Sequence, residues 1–501
     1  MCQRLKIFGT LDVKLSTLLQ SVKTIVPKTA SPEATMPYVF YDVETTGTNT
    51  FFDQILQFAA IRTDDTLEEL DRFNVRCRLL PHVIPSPRAL LVTKVTPATL
   101  TDTNLPSHYE MIRKIHDTLH AWSPATFIGF NSLKFDENLL RQALFQTLHP
   151  PYLTNTNGNA RSDVIRLAHA TSLYSPEAIT VPTNRSGRQV FQLGPLAAAN
   201  KYSHHDAHEA LADVLATLHL ARLIQNSAPD VWQAMDRATT KTFVKAFVSD
   251  TNVFTLSESY FSRMHSWLVT LCGQHPERDA ELAVFDLFFN PDDYLSLTIS
   301  ELVEVLNASP KPIRSLAANQ QPIIMPENAA PSRTRALDIS PAERLRRTKV
   351  VRDNPDFQER VGQALAVRFT REEPSPHVEQ RIYDGFPSGG DRVRMKKFHQ
   401  VRWDERMDIA GQVEDPRIST LARRLICIER PDLLPTKTAA EFRGWVSKRV
   451  TAEDDSVPWM TVSKALRDTD ALLKNATGSE AQLLQEVREF VHSLADHYGP
   501  T

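Results

Sequence analysis

Asp42 and Glu44 stand one residue apart in Phe40-Tyr41-Asp42-Val43-Glu44-Thr45-Thr46-Gly47, where an apolar run ends in two acids. On a β-strand, side chains two residues apart share a face, so both carboxylates point the same way. Two such groups repel unless a cation lies between them, and a divalent metal is the usual solution. Alone, Asp-x-Glu is a weak pattern that many surface strands carry. Two further segments strengthen it. Asp136 follows the short apolar run 125–130 and opens a helix-like stretch through Leu139, Leu140 and Leu144. Beyond it, His205-Asp206-Ala207-His208-Glu209-Ala210-Leu211-Ala212-Asp213 opens an amphipathic helix that continues through Leu215, Leu218, Ala221 and Leu223. Carboxylate oxygens suit magnesium and manganese. A zinc reading competes, because His204 and His208 are four residues apart with His205 and Asp206 nearby, but no glutamate occupies the metalloprotease position.

An acid pair on a first strand, an Asp opening a middle helix and a His-x4-Asp late in the domain together resemble the DEDDh family of 3′ to 5′ exonucleases. Gln57-Phe58-Ala59-Ala60-Ile61-Arg62-Thr63-Asp64, Leu91-Val92-Thr93-Lys94-Val95-Thr96-Pro97, Ala207-His208-Glu209-Ala210-Leu211-Ala212-Asp213 and Tyr383-Asp384-Gly385-Phe386 are similar, within it, to bacterial exonuclease I. The likeness runs from Pro37 to the C-terminus and is strongest over residues 37–223. It departs from the family around Arg161-Ser162-Asp163, where this chain has Ser162 and Arg166 in place of a tryptophan and a further acid.

The resemblance implies two magnesium ions, replaceable by manganese. Asp42 would bridge both, Glu44 and Asp213 would complete the tighter site, and Asp136 would hold the second. His208 would be the general base, a role suited to imidazole, which titrates near neutrality. Five helical steps separate the directions of His208 and Asp213 by about 140°, so His208 is expected on the loop before the helix or in its first turn. Glu209, four residues from Asp213, reads as a surface or supporting residue. Glu44, Thr45, Thr46 and Gly47 would meet the terminal nucleotide, with Asn131 beside them.

Three composition regimes must position these groups. Strand-like runs at 38–43, 55–61, 73–79 and 126–130 alternate with helical patterns, predicting an α/β exonuclease domain over residues 37–225 with a central mixed sheet of ribonuclease H-like type. Residues 226–338 open helically, then carry a strand-like run at 282–289 and five prolines, Pro310, Pro312, Pro322, Pro326 and Pro331. Such proline density excludes long helices and favours a small barrel with loops; the family implies an SH3-like one. Residues 339–501 read as a helical domain, with Leu483, Leu484, Val487, Phe490, Val491 and Leu494 on one apolar face that belongs to a core. Residues 1–36 read as an extension, either disordered or upstream of the true start, because the resemblance begins at Met36-Pro37; they lack the apolar stretch and cleavage site of a secretory signal.

At 501 residues the chain is too long for one core. Its four cysteines, Cys2, Cys77, Cys272 and Cys427, are far apart, which argues against a disulfide framework or structural zinc. No apolar run approaches the roughly 18 residues of a membrane span, so the protein is expected to be soluble; a cytoplasmic, monomeric enzyme is a further expectation. A net charge of −3 gives no global attraction for a polyanion, so any grip must be local. Residues 392–403 offer one, holding Arg392, Arg394, Lys396, Lys397 and Arg402 among Phe398 and Trp403. Cations interleaved with aromatic rings suit single-stranded nucleic acid, although a charge run is also an ordinary solvated helix face. The expected function is 3′ to 5′ hydrolysis of single-stranded DNA to 5′-mononucleotides in repair and recombination, and the family resemblance implies a single-stranded-DNA-binding protein as a candidate partner. The alternatives are a 3′ exoribonuclease or proofreading subunit, and a non-catalytic adaptor.

Overall fold

The computed structural model describes residues 36–203, 209–369 and 373–499. The apolar run that ends in the acid pair forms β1 (Tyr38–Thr45), which is the central strand of a five-stranded sheet. It pairs antiparallel with β2 (Ile55–Thr63), which pairs antiparallel with β3 (Glu69–Arg76). On its other side β1 runs parallel to β4 (Thr126–Gly129), and β4 parallel to β5 (Ala160–Asp163), giving the order β3-β2-β1-β4-β5. This is the mixed sheet that the alternating pattern predicts.

Alternation along β1 sorts its residues between two cores. Val39 and Tyr41 join Phe58, Met111, Ile112, Leu139 and Leu140 on one face, against the helices His108–Ala121 and Asp136–Gln146. Tyr38 and Phe40 join Val214, Leu218, Ala221 and Trp232 on the other, against the helices Ala210–Ser227 and Pro229–Arg237. Burial on both faces is why β1 reads as a nearly continuous apolar run rather than an alternating one. It also decides where Asp42 and Glu44 go, because they follow Phe40 on the face that meets the helix Ala210–Ser227.

Two strands depart from the sequence reading. β3 covers Glu69–Arg76 rather than 73–79, because the polar start of this edge strand pairs through its backbone while Cys77 to Leu79 turn away to bond Leu56, Pro106 and Leu100. β5, Ala-Arg-Ser-Asp, carries no apolar run to announce it.

A second sheet is wholly antiparallel. Strands β6 (Phe254–Tyr260), β7 (Arg263–Gln274), β8 (Glu281–Asp286) and β9 (Ile313–Ala317) form a meander, and β10 (Ile323–Pro326) returns to pair with β6. β8 ends at Asp286, three residues short of the apolar run, where Phe289 turns back to bond the Asp286 carbonyl. Among the described residues, no helix longer than a four-residue 3-10 turn occupies 308–340, as the prolines require. The break expected at 338/339 is not a break in packing. The helices Pro341–Arg352 and Pro355–Val367 bury Val351, Phe357, Val361 and Leu365 against Cys272, Phe285 and Ile313 of the second sheet.

The remaining helices pack against the first sheet's surroundings. Met395, Phe398, Ile409, Leu421 and Ile426 share a core with Tyr109 and Phe145, and Val446, Val450, Val487 and Val491 share one with Leu56, Ile84 and Leu90. Leu484, Val487 and Val491 are buried on the helix Gly478–Tyr498, so the predicted stripe is core. Cys77, Cys272 and Cys427 are free and buried. Among the described residues no helix is long and apolar enough to cross a membrane.

Candidate active site

The side chains of Asp42, Glu44 and Asp213 converge so that one carboxylate oxygen from each lies within 4.8 Å of the others. Strand β1 brings the first two; the first turn of the helix Ala210–Ser227 brings the third. That turn is fixed by Glu209, whose carboxylate accepts the backbone N–H of Ala212 at 3.0 Å as an N-cap. Glu209 is also tied to the sheet. It accepts a hydrogen bond from the Gln57 amide and lies 3.5 Å from Arg76. The expectation of a supporting role for Glu209 therefore has a physical form: it caps the helix and pins it over β1.

Asp136 is the first residue of the helix Asp136–Gln146 and is buried. Its Oδ1 accepts the Val43 N–H at 3.3 Å, which sets this carboxyl beside the Asp42-Val43-Glu44 segment. The turn before it is held by Asp163 at the end of β5. Asp163 Oδ1 accepts the Asn131 N–H at 2.7 Å, and Oδ2 accepts that of Leu133 at 3.2 Å. Gly129 precedes this turn, where a Cβ would meet the Ser132 Cβ at 2.6 Å and the Tyr41 carbonyl at 2.8 Å. Next to Asp136, Glu137 is buried and committed elsewhere, bridging Arg141 and Arg161 and accepting from Thr154 and Tyr41. Asp163, Glu137 and Gln57 were not evident as supporting residues; only Asp163, an acid directly before a helical pattern, carried a signal, that of an N-cap.

These carboxyls raise one another's proton affinity. Burial pushes Asp42 well above the usual carboxylate range, and the neighbouring Asp136, Asp213 and Glu44 push it further. Glu44 is pushed up to about 8, first by burial and then by Asp213 and Asp136, with Arg76 pulling the other way. Asp136 is pushed up to about 7, chiefly by burial. A set of oxygen-only donors that repel one another at neutral pH fits a hard divalent cation, which would relieve the repulsion and restore the charged forms.

The proposed substrate residues divide. Thr45 is buried and donates to the Gly47 carbonyl at 2.6 Å. Thr46 is wholly buried and its hydroxyl donates to Asp53 at 2.8 Å, so its side chain cannot meet a nucleotide. Gly47 is glycine because a Cβ would lie 2.5 Å from the Asp53 carboxylate; its close approach is internal. Asn131 is exposed at the end of β4, with a φ of 61°. In the helix Gly389–Gln400, Lys396 and Lys397 are exposed, but Arg394 is bound to Asp391 and Glu414, each at 2.9 Å. Phe398 is buried and Trp403 is stacked against Arg406 at 3.7 Å, so neither offers a free ring to a base. His204, His205, Asp206 and His208 lie outside the described residues.

Residues 39–221 match the Exonuclease family, and residues 376–494 the Exonuclease I C-terminal domain. Exodeoxyribonuclease I of Escherichia coli is 28% identical over 377 residues, covering 72% of this chain and 78% of the relative. Exonuclease I from Methylocaldum szegediense superposes with a TM-score of 0.80 at 25% identity, over 92% of this chain and 99% of that one. E. coli exonuclease I in complex with a dA16 oligonucleotide has the same TM-score at 23% identity, over 92% and 100% of the two chains. Mixed sheet, flanking helices and clustered acids thus define an exonuclease of ribonuclease H-like architecture that takes a divalent metal. With both of its matched domains in order, the chain belongs to the bacterial exonuclease I family.

Proposed function

We infer that this protein is a 3′ to 5′ exodeoxyribonuclease that digests single-stranded DNA to 5′-mononucleotides. The convergence of Asp42, Glu44 and Asp213 on one point, in a chain of this family, carries the reading. Solved exonuclease I complexes with oligonucleotides support the substrate. The finer reading is two magnesium ions, with manganese able to substitute. Asp42, Glu44 and Asp213 would hold one, and Asp42 with Asp136 the other. Bound there, the ions would neutralise the scissile phosphate and lower the pKa of the attacking water. The chain's own residues supply the rest. Asp136, anchored by the Val43 N–H, keeps its carboxyl against β1. His208 takes the proton from the attacking water. The main chain around Thr45 to Gly47 borders the terminal nucleotide, with Asn131 at the adjoining loop.

In the same reading the second sheet is the family's SH3-like barrel, and the protein works as a cytoplasmic monomer alongside a single-stranded-DNA-binding protein. A small exoribonuclease or proofreading subunit is disfavoured, since this chain continues into an Exonuclease I C-terminal domain. Timed digestion of 5′-labelled single-stranded DNA, duplex DNA and RNA, with magnesium and with EDTA, tests the assignment. Magnesium-dependent shortening of the single strand from its 3′ end is expected; faster loss of RNA or duplex would contradict it.

A further inference from the structure

Strands β6 and β7 are joined by a two-residue loop, Phe261-Ser262, with Tyr260 paired to Arg263. Both loop residues have positive φ, 49° and 58°. That is the geometry of a tight hairpin turn that normally selects Asn-Gly, because a bulky side chain is strained there. Phe261 nevertheless occupies the first position, and it is 90% exposed. An aromatic ring held in a disfavoured backbone state with no packing of its own calls for another use.

The hairpin borders a cleft of about 420 Å³ between the two sheets. Tyr260 and Ser262 line it on one side; Asn131, Lys134, Arg166 and Phe191 line it on the other. It therefore starts at the tip and ends at the turn that carries Asp136. Its own acids are occupied: Asp163 holds the backbone of that turn, and Glu258 accepts from the Tyr260 hydroxyl at 2.5 Å. Lys134 is an exposed cation of its lining, and Arg263 is an exposed cation on the hairpin, opposite Tyr260.

We propose that this hairpin is a stacking finger for the substrate strand, with Phe261 taking the face of an unpaired base while Lys134, Arg166 and Arg263 attract its phosphates. The proposal rests on the exonuclease reading and deepens it. Base–aromatic stacking tolerates any sequence, which suits an enzyme that consumes a strand one nucleotide at a time. The strand enters at the tip and follows the cleft toward Asn131 and the carboxylates.

Two variants test it. Phe261→Asn removes the ring but favours the left-handed turn, so its Tm should equal or exceed that of the wild type. Its affinity for an oligothymidylate of about 20 nucleotides, measured in EDTA, should fall about tenfold, the scale of one stack. With magnesium the loss should show in KM rather than kcat, and shrink as the strand shortens. Phe261→Trp should report binding by quenched emission, above the signal of the six native tryptophans. Unchanged affinity in Phe261→Asn, a lower Tm in that variant, or a Phe261→Trp signal that duplex DNA produces equally would each overturn the finger. Binding in EDTA needs no cleavage, so a wild-type protein that binds but never digests would overturn the exonuclease reading instead.

Discussion

Glu44 is the residue at which the site's electrostatics can be measured without any turnover. Its folded pKa, about 8, lies above the usual value of 4.5. A carboxyl raised in this way contributes stability that is complete below the unfolded pKa and is lost as pH rises through the folded one. Buried histidines act in the opposite sense. His108 and His399 are lowered to about 4 and His149 to about 2, chiefly by burial, so they contribute stability that grows as pH rises toward 6.5. The carboxyls are therefore isolated between about pH 6.5 and 8. In EDTA, the unfolding free energy from urea titrations should fall across that interval, Glu44 alone contributing up to about 2 kcal/mol. Glu44→Gln should flatten the fall, and saturating magnesium should reverse it. A wild-type profile that rises or stays level in EDTA would show that these carboxyls are not strained. Residue types and spacing made Asp42, Glu44, Asp136 and Asp213 legible in the sequence, since each ends or begins an element. Thr46 and Gly47 were legible only as neighbours; nothing in their spacing revealed that Asp53, six or seven residues on, would claim them.

At the scale of elements, the site depends on a turn as much as on a strand. Asp163 links the end of β5 to the turn after β4 through the Asn131 and Leu133 N–H groups, and caps its own helix at the Ile165 N–H. Asp163→Ala leaves three backbone donors, one buried and two part-buried, without that partner and should cost on the order of 2 kcal/mol in urea unfolding. Cleavage should fall with it, because Asp136 follows three residues after Leu133 and is placed by the same turn. A variant with wild-type stability and rate would show that the turn holds itself. The elements readable from sequence were those with a dense apolar signal: β1, β2, β4 and the helix Gly478–Tyr498. β5 escaped and β3 was read with shifted bounds, because edge strands need only backbone partners and can carry charge on an open face, as Glu69, Asp71 and Arg72 do. The helices Pro341–Arg352 and Pro355–Val367 were recognisable as helices but not as lids on the second sheet, since periodicity reveals an apolar face and not its partner.

The whole molecule separates chemistry from grip. Its net charge is −3, so attraction for a long strand must come from local cations. Lys396 and Lys397 remain exposed, whereas Arg394 is a structural partner of buried Asp391, which also accepts the Glu414 and Asp415 N–H groups. Replacing both lysines by Ala should weaken binding of long single strands and lower the salt slope by up to about one unit per lost phosphate contact. Arg394→Ala should act instead on stability. A salt slope that does not respond to the lysines would make that helix an ordinary solvated face. The most direct test of the central claim, that the β1 acids and Asp213 form a divalent-ion nuclease site, is the cleavage rate of Asp42→Ala on 5′-labelled single-stranded DNA with magnesium. The account predicts a folded protein, at least as stable as the wild type in EDTA because a repelling charge has gone, whose rate is lower by about three orders of magnitude or more. A rate near that of the wild type, or equal cleavage with and without magnesium, would contradict it.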